Sequence, residues 1–175
     1  MTGAMEAEHA PYAIAGIRRS GARARIECLV PQKGTMCLLD GVAAFSAEEI
    51  SCRATSHLDR ANPLIWNGRL GILCGCEYGM QAAALHGALD TLKKLLPSDR
   101  RSFVPTRGRV ASLRLTSVSV ARLDDAAIGV LTVTARKRAA TAGGAQYDFE
   151  LAAEDGRVLL TGTGTIALRP LGTPP

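Results

Sequence analysis

One stretch of this chain constrains its fold more than any other. Residues 72–96 contain no proline and are dense in Ala, Leu, Met and Gln, so they predict the only long helix of the chain. The pattern is apolar on nearly every face as far as Leu89, which is typical of a helix buried on most sides. Such a helix needs other elements packed around it, and the rest of the chain has to supply them.

Alternating runs in the second half of the chain predict the strands that cover this helix. Apolar and polar residues alternate along 108–123 and 129–140, and again on both sides of Asp155-Gly156, a dipeptide typical of a hairpin turn. A shorter run at 49–56 follows the same pattern. We therefore predict an α+β protein with a hotdog fold, in which a curved antiparallel β-sheet wraps a long central helix. An unrelated α+β sandwich is the alternative that the pattern leaves open.

The length of the chain suits a single domain. Its 175 residues are enough for one sizeable core. We predict a flexible N-terminal segment at 1–24, one domain at 25–170 and a short tail at 171–175. No apolar run approaches the roughly 18 residues that span a bilayer, and the start of the chain lacks the pattern of a signal peptide, so we expect no membrane insertion.

The cysteines indicate the compartment rather than a metal site. There are five, an odd number, and most of them lie in apolar stretches. This usage favours reduced, buried thiols in a cytoplasmic protein over a disulfide framework. Cys74 and Cys76 form a C-x-C pair, but no further ligands follow at a spacing that suits zinc, so we predict no metal.

The charge of the chain favours an acidic partner or a plain solvated surface over nucleic acid. The net charge is +5 and the pI about 9.2, with basic clusters at 18–25, 99–109 and 136–138. Aromatic residues make up only 4% of the chain, which leaves few platforms for stacking bases. The basic clusters are therefore interpreted either as solvated surface or as contacts for an acidic protein.

Glu77 is an unusual residue for an apolar helix. An ionised carboxylate is costly to bury unless it is paired or lies at a cavity, so the position suggests a functional site. Gln81 lies four residues later and shares the same helix face. The alternative is structural, because a carboxylate near a helix N-terminus is stabilised by about 0.3–1 kcal/mol through the helix dipole.

Two histidines are candidates for a partner of Glu77. His57 follows a predicted strand and opens an irregular segment, so it is either a loop residue or a base. His86 follows Glu77 by nine residues and points to the opposite side of the helix, which favours a core or interface role. A His–Glu pair at a cavity suits acid–base chemistry on carbonyl compounds. Backbone N–H groups near Gly75 would hold a carbonyl oxygen as it gains charge.

Several motifs, in this order and spacing, resemble those of a known family. The resemblance runs from Ile26 to Leu168. It is carried by the stretches VPQKGTMCLLDGV, ATSHLDRANPL, CEYGMQAAALHGAL, GRVASLRLTSV and DGRVLLTGTGTIAL. Together they are similar to 3-hydroxyacyl-acyl carrier protein dehydratase-like hotdog proteins, and most similar to the branch found in aryl-polyene-type clusters. The resemblance implies formation of a trans-2-enoyl thioester in fatty acid or polyene-type biosynthesis.

The resemblance also implies roles for individual residues. Glu77 and Gln81 match the family's Glu-x-x-x-Gln helix motif, with Glu77 catalytic and Gln81 substrate-binding. His57 is the histidine that this branch offers as the base. Asn62 and Arg69 are implied to shape the mouth of the pocket. Family dehydratases assemble such a site across a hotdog dimer.

The sequence departs from the family pattern at three positions. Arg69 stands where better-known dehydratases have the histidine of a Gly-His-Phe-Pro-Gly stretch. Gln32 and Thr35 stand where relatives often have the histidine and second proline of Pro-His-x-Gly-Pro-Met. These departures keep two alternatives open beside the dehydratase, namely a hotdog thioesterase that uses the helix carboxylate and a non-catalytic partner subunit or acyl-binding module.

The resemblance implies partners as well. We expect at least a dimer, either a homodimer or a heterodimer with another hotdog subunit. Acyl carrier protein is acidic, so it is a natural partner for the basic clusters. The acyl group would arrive on the phosphopantetheine of the carrier or on coenzyme A, with no other cofactor.

Overall fold

The computed structural model describes residues 23–105 and 108–168. These residues form two α-helices, several short 3-10 turns and one six-stranded sheet. The elements in chain order are α1 (Arg23–Glu27), β1 (Gly41–Phe45), β2 (Glu49–Ala54), α2 (Gly75–Lys94), β3 (Gly108–Val118), β4 (Leu131–Thr141), β5 (Gly144–Ala152) and β6 (Val158–Leu168).

The sheet is antiparallel throughout. Its strand order is β1-β2-β4-β5-β6-β3, so β1 and β3 form the two edges. The β5–β6 hairpin turns at Asp155 and Gly156, where Gly156 has a φ of 86° that glycine adopts without strain. That turn was predicted from the sequence and is confirmed.

The central helix is α2, and the sheet covers it. It packs on β2, β4, β5 and β6, and the 3-10 turn Ile72–Cys74 leads directly into it. Buried side chains occur all around the helix, from Cys76 through Leu85 to Leu92. The predicted hotdog fold, a long central helix wrapped by an antiparallel sheet, is confirmed.

The close approach of the helix to the sheet depends on glycines. A Cβ at Gly79 would lie 2.5 Å from the Phe149 ring on β5, and one at Gly162 on β6 would lie 2.6 Å from the same ring. Because the three positions meet at one point, the Phe149 ring fills the space that two missing side chains leave. This packing brings the helix onto the sheet and fixes which of its faces remains for a cavity.

Some elements differ from the sequence-based prediction. The strand β1 was not predicted, because GVAAF lacks a clear alternation. The helix begins at Gly75 rather than at residue 72 and ends at Lys94, before the predicted end at residue 96. Residues 23 and 24, assigned to the flexible segment, begin α1. The remainder of that segment and the tail at 171–175 lie outside the described residues.

Candidate active site

The Glu77 side chain is partly buried and is held by two amides. Gln32 Nε2 donates a hydrogen bond of 2.9 Å to Glu77 Oε1, and Gln81 Nε2 donates one of 3.0 Å to the same oxygen. Glu77 stands in the first turn of α2, as predicted. Gln32 lies 45 residues earlier, in the loop that follows α1, so the fold and not the local sequence creates this contact.

Gln81 is fully buried and all of its polar atoms are engaged. Its Oε1 accepts a hydrogen bond of 3.0 Å from the N–H of Leu38, and its Nε2 donates one of 2.8 Å to the carbonyl of Met36 as well as the one to Glu77. Gln81 therefore ties the loop before β1 to the helix and positions the carboxylate. A direct contact of Gln81 with substrate stays a prediction.

A cavity of about 170 Å³ begins beside Glu77. It runs along one face of the helix as far as Thr91, a distance of about 21 Å at the usual rise of about 1.5 Å per residue. Its walls are mostly apolar and come from the helix, the loop after α1, Phe103 and the sheet. They include Leu29, Met80, Ala84, Phe103, Tyr147 and Ile166. The shape suits a narrow, extended apolar ligand with a polar group at the Glu77 end.

His57 is fully buried, and the structure gives its ring no hydrogen-bond partner among the described residues. It lies in a 3-10 turn, Ser56–Leu58, directly after β2. Burial lowers the pKa of its imidazole, and the nearby Gly129 backbone only partly opposes this effect. The ring is therefore neutral near pH 7 and can accept a proton.

Among the described residues, no hydrogen bond joins His57 to Glu77. Of the described residues, those that line the cavity include Glu77 but not His57, Asn62 or Arg69. The hydrogen-bond partners of the Glu77 carboxylate are Gln32 and Gln81, as described above, and not the imidazole. A shared site of His57 and Glu77 stays a prediction.

Asn62 anchors the loop that carries His57. Its Nδ2 donates to the carbonyl of Ser56 and to the hydroxyl of Tyr78, both at 2.9 Å, and its Oδ1 accepts from the N–H of Leu64 at 2.9 Å. Tyr78 also shares a hydrogen bond of 2.8 Å with Ser56 Oγ. Burial is the main cause that raises the pKa of Tyr78 to about 12, so its hydroxyl stays protonated. Asn62 was predicted at the pocket mouth, but in the protomer it holds the His57 turn against the helix.

Tyr78 was not among the predicted site residues. Its neighbour Glu77 is the only charged residue in an apolar stretch and therefore indicates a site, whereas a tyrosine in such a stretch is typical of core packing. The sequence could have indicated Tyr78 in one way: a buried tyrosine hydroxyl requires hydrogen-bond partners. In the structure, Ser56 and Asn62 are those partners.

Arg69 is exposed and lies in a tight turn. The N–H of Trp66 donates to the carbonyl of Arg69 at 2.9 Å, and Asn67 and Gly68 between them both have positive φ. The backbone of this turn is well defined, but the Arg69 side chain does not reach the cavity that Glu77 lines. A role for Arg69 at the pocket mouth stays a prediction.

Gly75 has a packing role that its sequence position did not reveal. A Cβ there would lie 2.8 Å from Leu160 Cδ2 and 3.0 Å from Leu151 Cδ2, so a larger residue would require these two side chains to shift. The N–H of Gly75 donates to the carbonyls of Ile72 and Leu73. It is therefore engaged within the turn rather than free to hold a substrate carbonyl.

His86 behaves as the sequence predicted for a core histidine. It is fully buried, its Nδ1 lies 3.0 Å from the Tyr147 hydroxyl, and its Nε2 lies 3.2 Å from the carbonyl of Ser46. Both ring nitrogens therefore have partners, and the residue links the helix to β5 and to the turn after β1.

The basic cluster at 136–138 is neutralised by acids. Arg136 pairs with Glu49, Lys137 pairs with Asp90 at 3.0 Å, and Arg138 pairs with Asp148. In the cluster 18–25, residues 18–22 lie outside the described residues, and Arg23 pairs with Asp40. In the third cluster, Arg109 is exposed and lines the cavity.

No helix among the described residues is long and apolar enough to cross a bilayer.

The buried cysteines are those at 37, 52 and 76, whereas Cys28 is exposed and Cys74 is half-buried. Burial raises the pKa of Cys37 to about 11, so its thiol is protonated and unreactive at neutral pH.

Comparison with solved structures identifies similar folds. The dehydratase heterocomplex ApeI:P from Xenorhabdus doucetiae matches with a TM-score of 0.68 and 18% identity, over 83% of this chain and 91% of that chain. A thioesterase from Haemophilus influenzae matches with a TM-score of 0.52 and 13% identity, over 76% of this chain and 80% of that chain. At these identities the matches show the hotdog fold alone. No match was found among curated proteins.

A family model gives the more specific result. The model described as ApeP-like, ApeP dehydratase, matches residues 24–168, which is nearly the whole of the described chain and agrees with the motif resemblance from Ile26 to Leu168. Together with the helix carboxylate at an apolar cavity and the sheet-wrapped helix, this match shows that the chain belongs to the ApeP-like family of hotdog dehydratases.

Proposed function

We propose that this chain is a subunit of a 3-hydroxyacyl thioester dehydratase that forms a trans-2-enoyl thioester in fatty acid or polyene-type biosynthesis. The observation that carries the proposal is the Glu77 carboxylate at the end of an apolar cavity, held in place by Gln32 and Gln81. An apolar cavity along a helix suits an acyl chain, and a fixed carboxylate beside it suits chemistry at the functional end of that chain.

The proposed reaction is a proton abstraction followed by loss of water. A base takes a proton from C2, next to the thioester carbonyl, and the C–H electron pair forms the C2–C3 double bond. The C3–O bond breaks with its electron pair on the oxygen, and the hydroxyl takes a proton from the Glu77 carboxyl and leaves as water; the proton held by the base then restores that carboxyl. No oxidation state changes overall, so we propose acid–base groups alone, without a redox cofactor. Glu77 assists the departure of the hydroxyl in this proposal.

His57 is the base in this proposal, and it acts on substrate held by a neighbouring subunit. Two observations support the assignment: its ring nitrogens have no partner among the described residues, and burial lowers its pKa so that the neutral ring accepts a proton. The His57 loop also exposes apolar side chains, with Trp66 79% and Leu58 42% exposed. A subunit docked there would cover them and bring its cavity near the loop.

A second candidate function is an acyl-binding partner subunit without its own turnover. One observation favours it: the side chain beside Glu77 is the amide of Gln32, which is neither an acid nor a base at neutral pH. In that case a different hotdog subunit supplies the imidazole, and this chain supplies the cavity or stabilises the complex.

The proposed assembly uses the free edge of the sheet. Among the described residues, strand β3 pairs only with β6, and Val110, Leu113 and Val118 on it are 48%, 45% and 46% exposed. A long edge strand with apolar side chains favours pairing with another chain. We propose a second hotdog subunit as that chain, either a copy of this one or a different hotdog protein.

Acyl delivery by an acidic carrier protein is also part of the proposal. Arg109 lines the cavity and is exposed, which suits the phosphate of a phosphopantetheine arm or of coenzyme A. A cytoplasmic location is proposed with it, since Cys37, Cys52 and Cys76 are buried, free cysteines that suit a reducing compartment.

The test is hydration of crotonyl and longer 2-enoyl thioesters by the purified chain, alone and co-purified with a hotdog subunit encoded beside it. Loss of the conjugated thioester absorbance without thiol release supports the dehydratase, which runs in reverse in this assay. Thiol release that depends on Glu77 supports a thioesterase instead. Turnover that appears only with the partner supports the second candidate function.

A further inference from the structure

The Gln32 side chain has a fixed orientation beside Glu77. Its Nε2 donates to Glu77 Oε1 at 2.9 Å, and the residue lines the cavity. A flipped amide would place its oxygen against the carboxylate oxygen, and two acceptors repel each other. The oxygen of Gln32 is therefore the atom that faces away from Glu77.

That oxygen is an unusual atom. Gln32 Oε1 is buried and has no hydrogen-bond partner among the described residues. Buried acceptors in native proteins are nearly always paired, because an unpaired one costs stability. Gln81 provides the contrast within the same cluster, since its Oε1 accepts from Leu38 and its Nε2 donates to Met36 and Glu77. Only the Gln32 amide keeps an unused acceptor beside the carboxylate.

We propose that Gln32 Oε1 accepts a hydrogen bond from a hydroxyl group on the acyl chain of the ligand. Gln32 is then the residue that selects hydroxyacyl ligands over saturated acyl and enoyl ligands, which carry no donor at that position. The proposal rests on the proposed function and deepens it, since it identifies the contact by which the site distinguishes the hydroxyacyl substrate from the enoyl product.

The position of Gln32 gives this contact a consequence for turnover. The same amide binds the Glu77 carboxylate, so a hydroxyl on Gln32 Oε1 lies next to the group that assists its departure. When the hydroxyl leaves as water, the acceptor loses its donor. The enoyl product therefore binds more weakly than the hydroxyacyl substrate, and product release is favoured.

The expected size of the selection is about tenfold or more. A site built to hydrogen-bond a substrate hydroxyl rejects an analogue that lacks it more strongly than an apolar pocket rejects a methylene difference, because a buried polar atom is left unpaired.

The experiment is calorimetric titration of the purified chain with two pantetheine amides, 3-hydroxyoctanoyl and octanoyl, in which an amide replaces the reactive thioester. We expect the hydroxyacyl amide to bind about tenfold or more tightly to the wild type. Gln32→Met should bring the ratio close to one. Gln146→Met, the same exchange at an exposed position of β5, should keep the wild-type ratio.

Equal affinities of the two amides for the wild type would overturn the proposal, and that comparison needs no variant to fold. A ratio unchanged in folded Gln32→Met would overturn it too, and so would a failure of both amides to bind. The dehydration assay separates this result from the proposed function: turnover together with equal affinities leaves the dehydratase standing and removes only the selection by Gln32.

Discussion

Two buried histidines show at residue scale how packing and function can be told apart. Both are fully buried. His86 has a partner on each ring nitrogen, the Tyr147 hydroxyl and the Ser46 carbonyl, whereas His57 has none among the described residues. An unpaired buried imidazole lowers stability, so its presence is better explained by chemistry than by packing.

This contrast predicts opposite effects of the same substitution. His86→Leu should lower the free energy of unfolding by about 1–3 kcal/mol, because it leaves the Tyr147 hydroxyl and the Ser46 carbonyl unpaired. His57→Leu removes only the weak contact of the ring with the Gly129 backbone, so the free energy of unfolding should change little or rise, while dehydratase turnover is lost. Urea unfolding and the enoyl thioester assay measure the two effects. Full activity of His57→Leu would remove His57 from the mechanism.

The same histidines predict how stability depends on pH. Burial lowers the pKa of His57 and of His86 below the ordinary histidine value of about 6.5, and the backbone of Gly129 and of Ser46, respectively, opposes this effect in part. The unfolded chain therefore binds more protons below about pH 6.5, and stability falls as the pH drops through that region. Urea midpoints at about pH 7.5 and about pH 5.5 should show the fall. A smaller fall is expected in His57→Leu, and an unchanged slope would contradict the assignment.

At the scale of elements, two glycines of α2 predict a matched pair of variants. A Cβ at Gly79 would lie 2.5 Å from the Phe149 ring, whereas one at Gly87 would meet only the Tyr147 hydroxyl at 3.7 Å. Gly79→Ala should lower the free energy of unfolding by about 1–3 kcal/mol, because the helix has to move off the sheet. Gly87→Ala should raise it by up to about 1 kcal/mol, because alanine is the better helix former. Thermal unfolding of both variants checks the prediction, and equal effects would contradict it.

The elements also show what the sequence can reveal. The helix was predictable because residues 75–89 are apolar on nearly every side, and β3 to β6 were predictable because apolar and polar residues alternate along them. The strand β1 was not predicted because its five residues show no alternation of apolar and polar side chains. Elements with a strong internal periodicity can therefore be predicted from the sequence. Short strands that form because they pair with a neighbouring strand cannot.

Only part of the candidate site could be predicted from the sequence. Glu77 could be predicted as a site residue because a carboxylate in an apolar helix is costly to bury unless it is paired or lies at a cavity. Its contact with Gln32 joins residues 45 positions apart, and the burial of His57 within a polar stretch comes from packing against other parts of the chain. Gly75 packs closely on Leu160 and Leu151, which the sequence did not reveal, and its predicted role near a substrate carbonyl stays a prediction. Contacts of this kind depend on the folded topology and leave no local pattern.

At the scale of the whole molecule, β3 predicts how subunits associate. Leu113→Asp places a charge on the apolar edge strand and should weaken association with a second hotdog subunit about tenfold or more. Val104→Asp makes the same change at a loop position that is 80% exposed and should leave association unchanged. Sedimentation velocity across a concentration series distinguishes them. Equal association of both variants would place the interface elsewhere.

The central claim is that Glu77 at its cavity is the catalytic carboxylate of a dehydratase, and one comparison tests it most directly. Formation of 2-enoyl thioester from 3-hydroxyacyl thioester is measured for wild type, Glu77→Gln and Asp90→Asn, each co-purified with the partner subunit. Asp90 is the matched control, a carboxylate on the same helix that pairs with Lys94 and Lys137. We predict a fall of about 100-fold or more for Glu77→Gln and a near wild-type rate for Asp90→Asn. A wild-type rate in folded Glu77→Gln would contradict the claim.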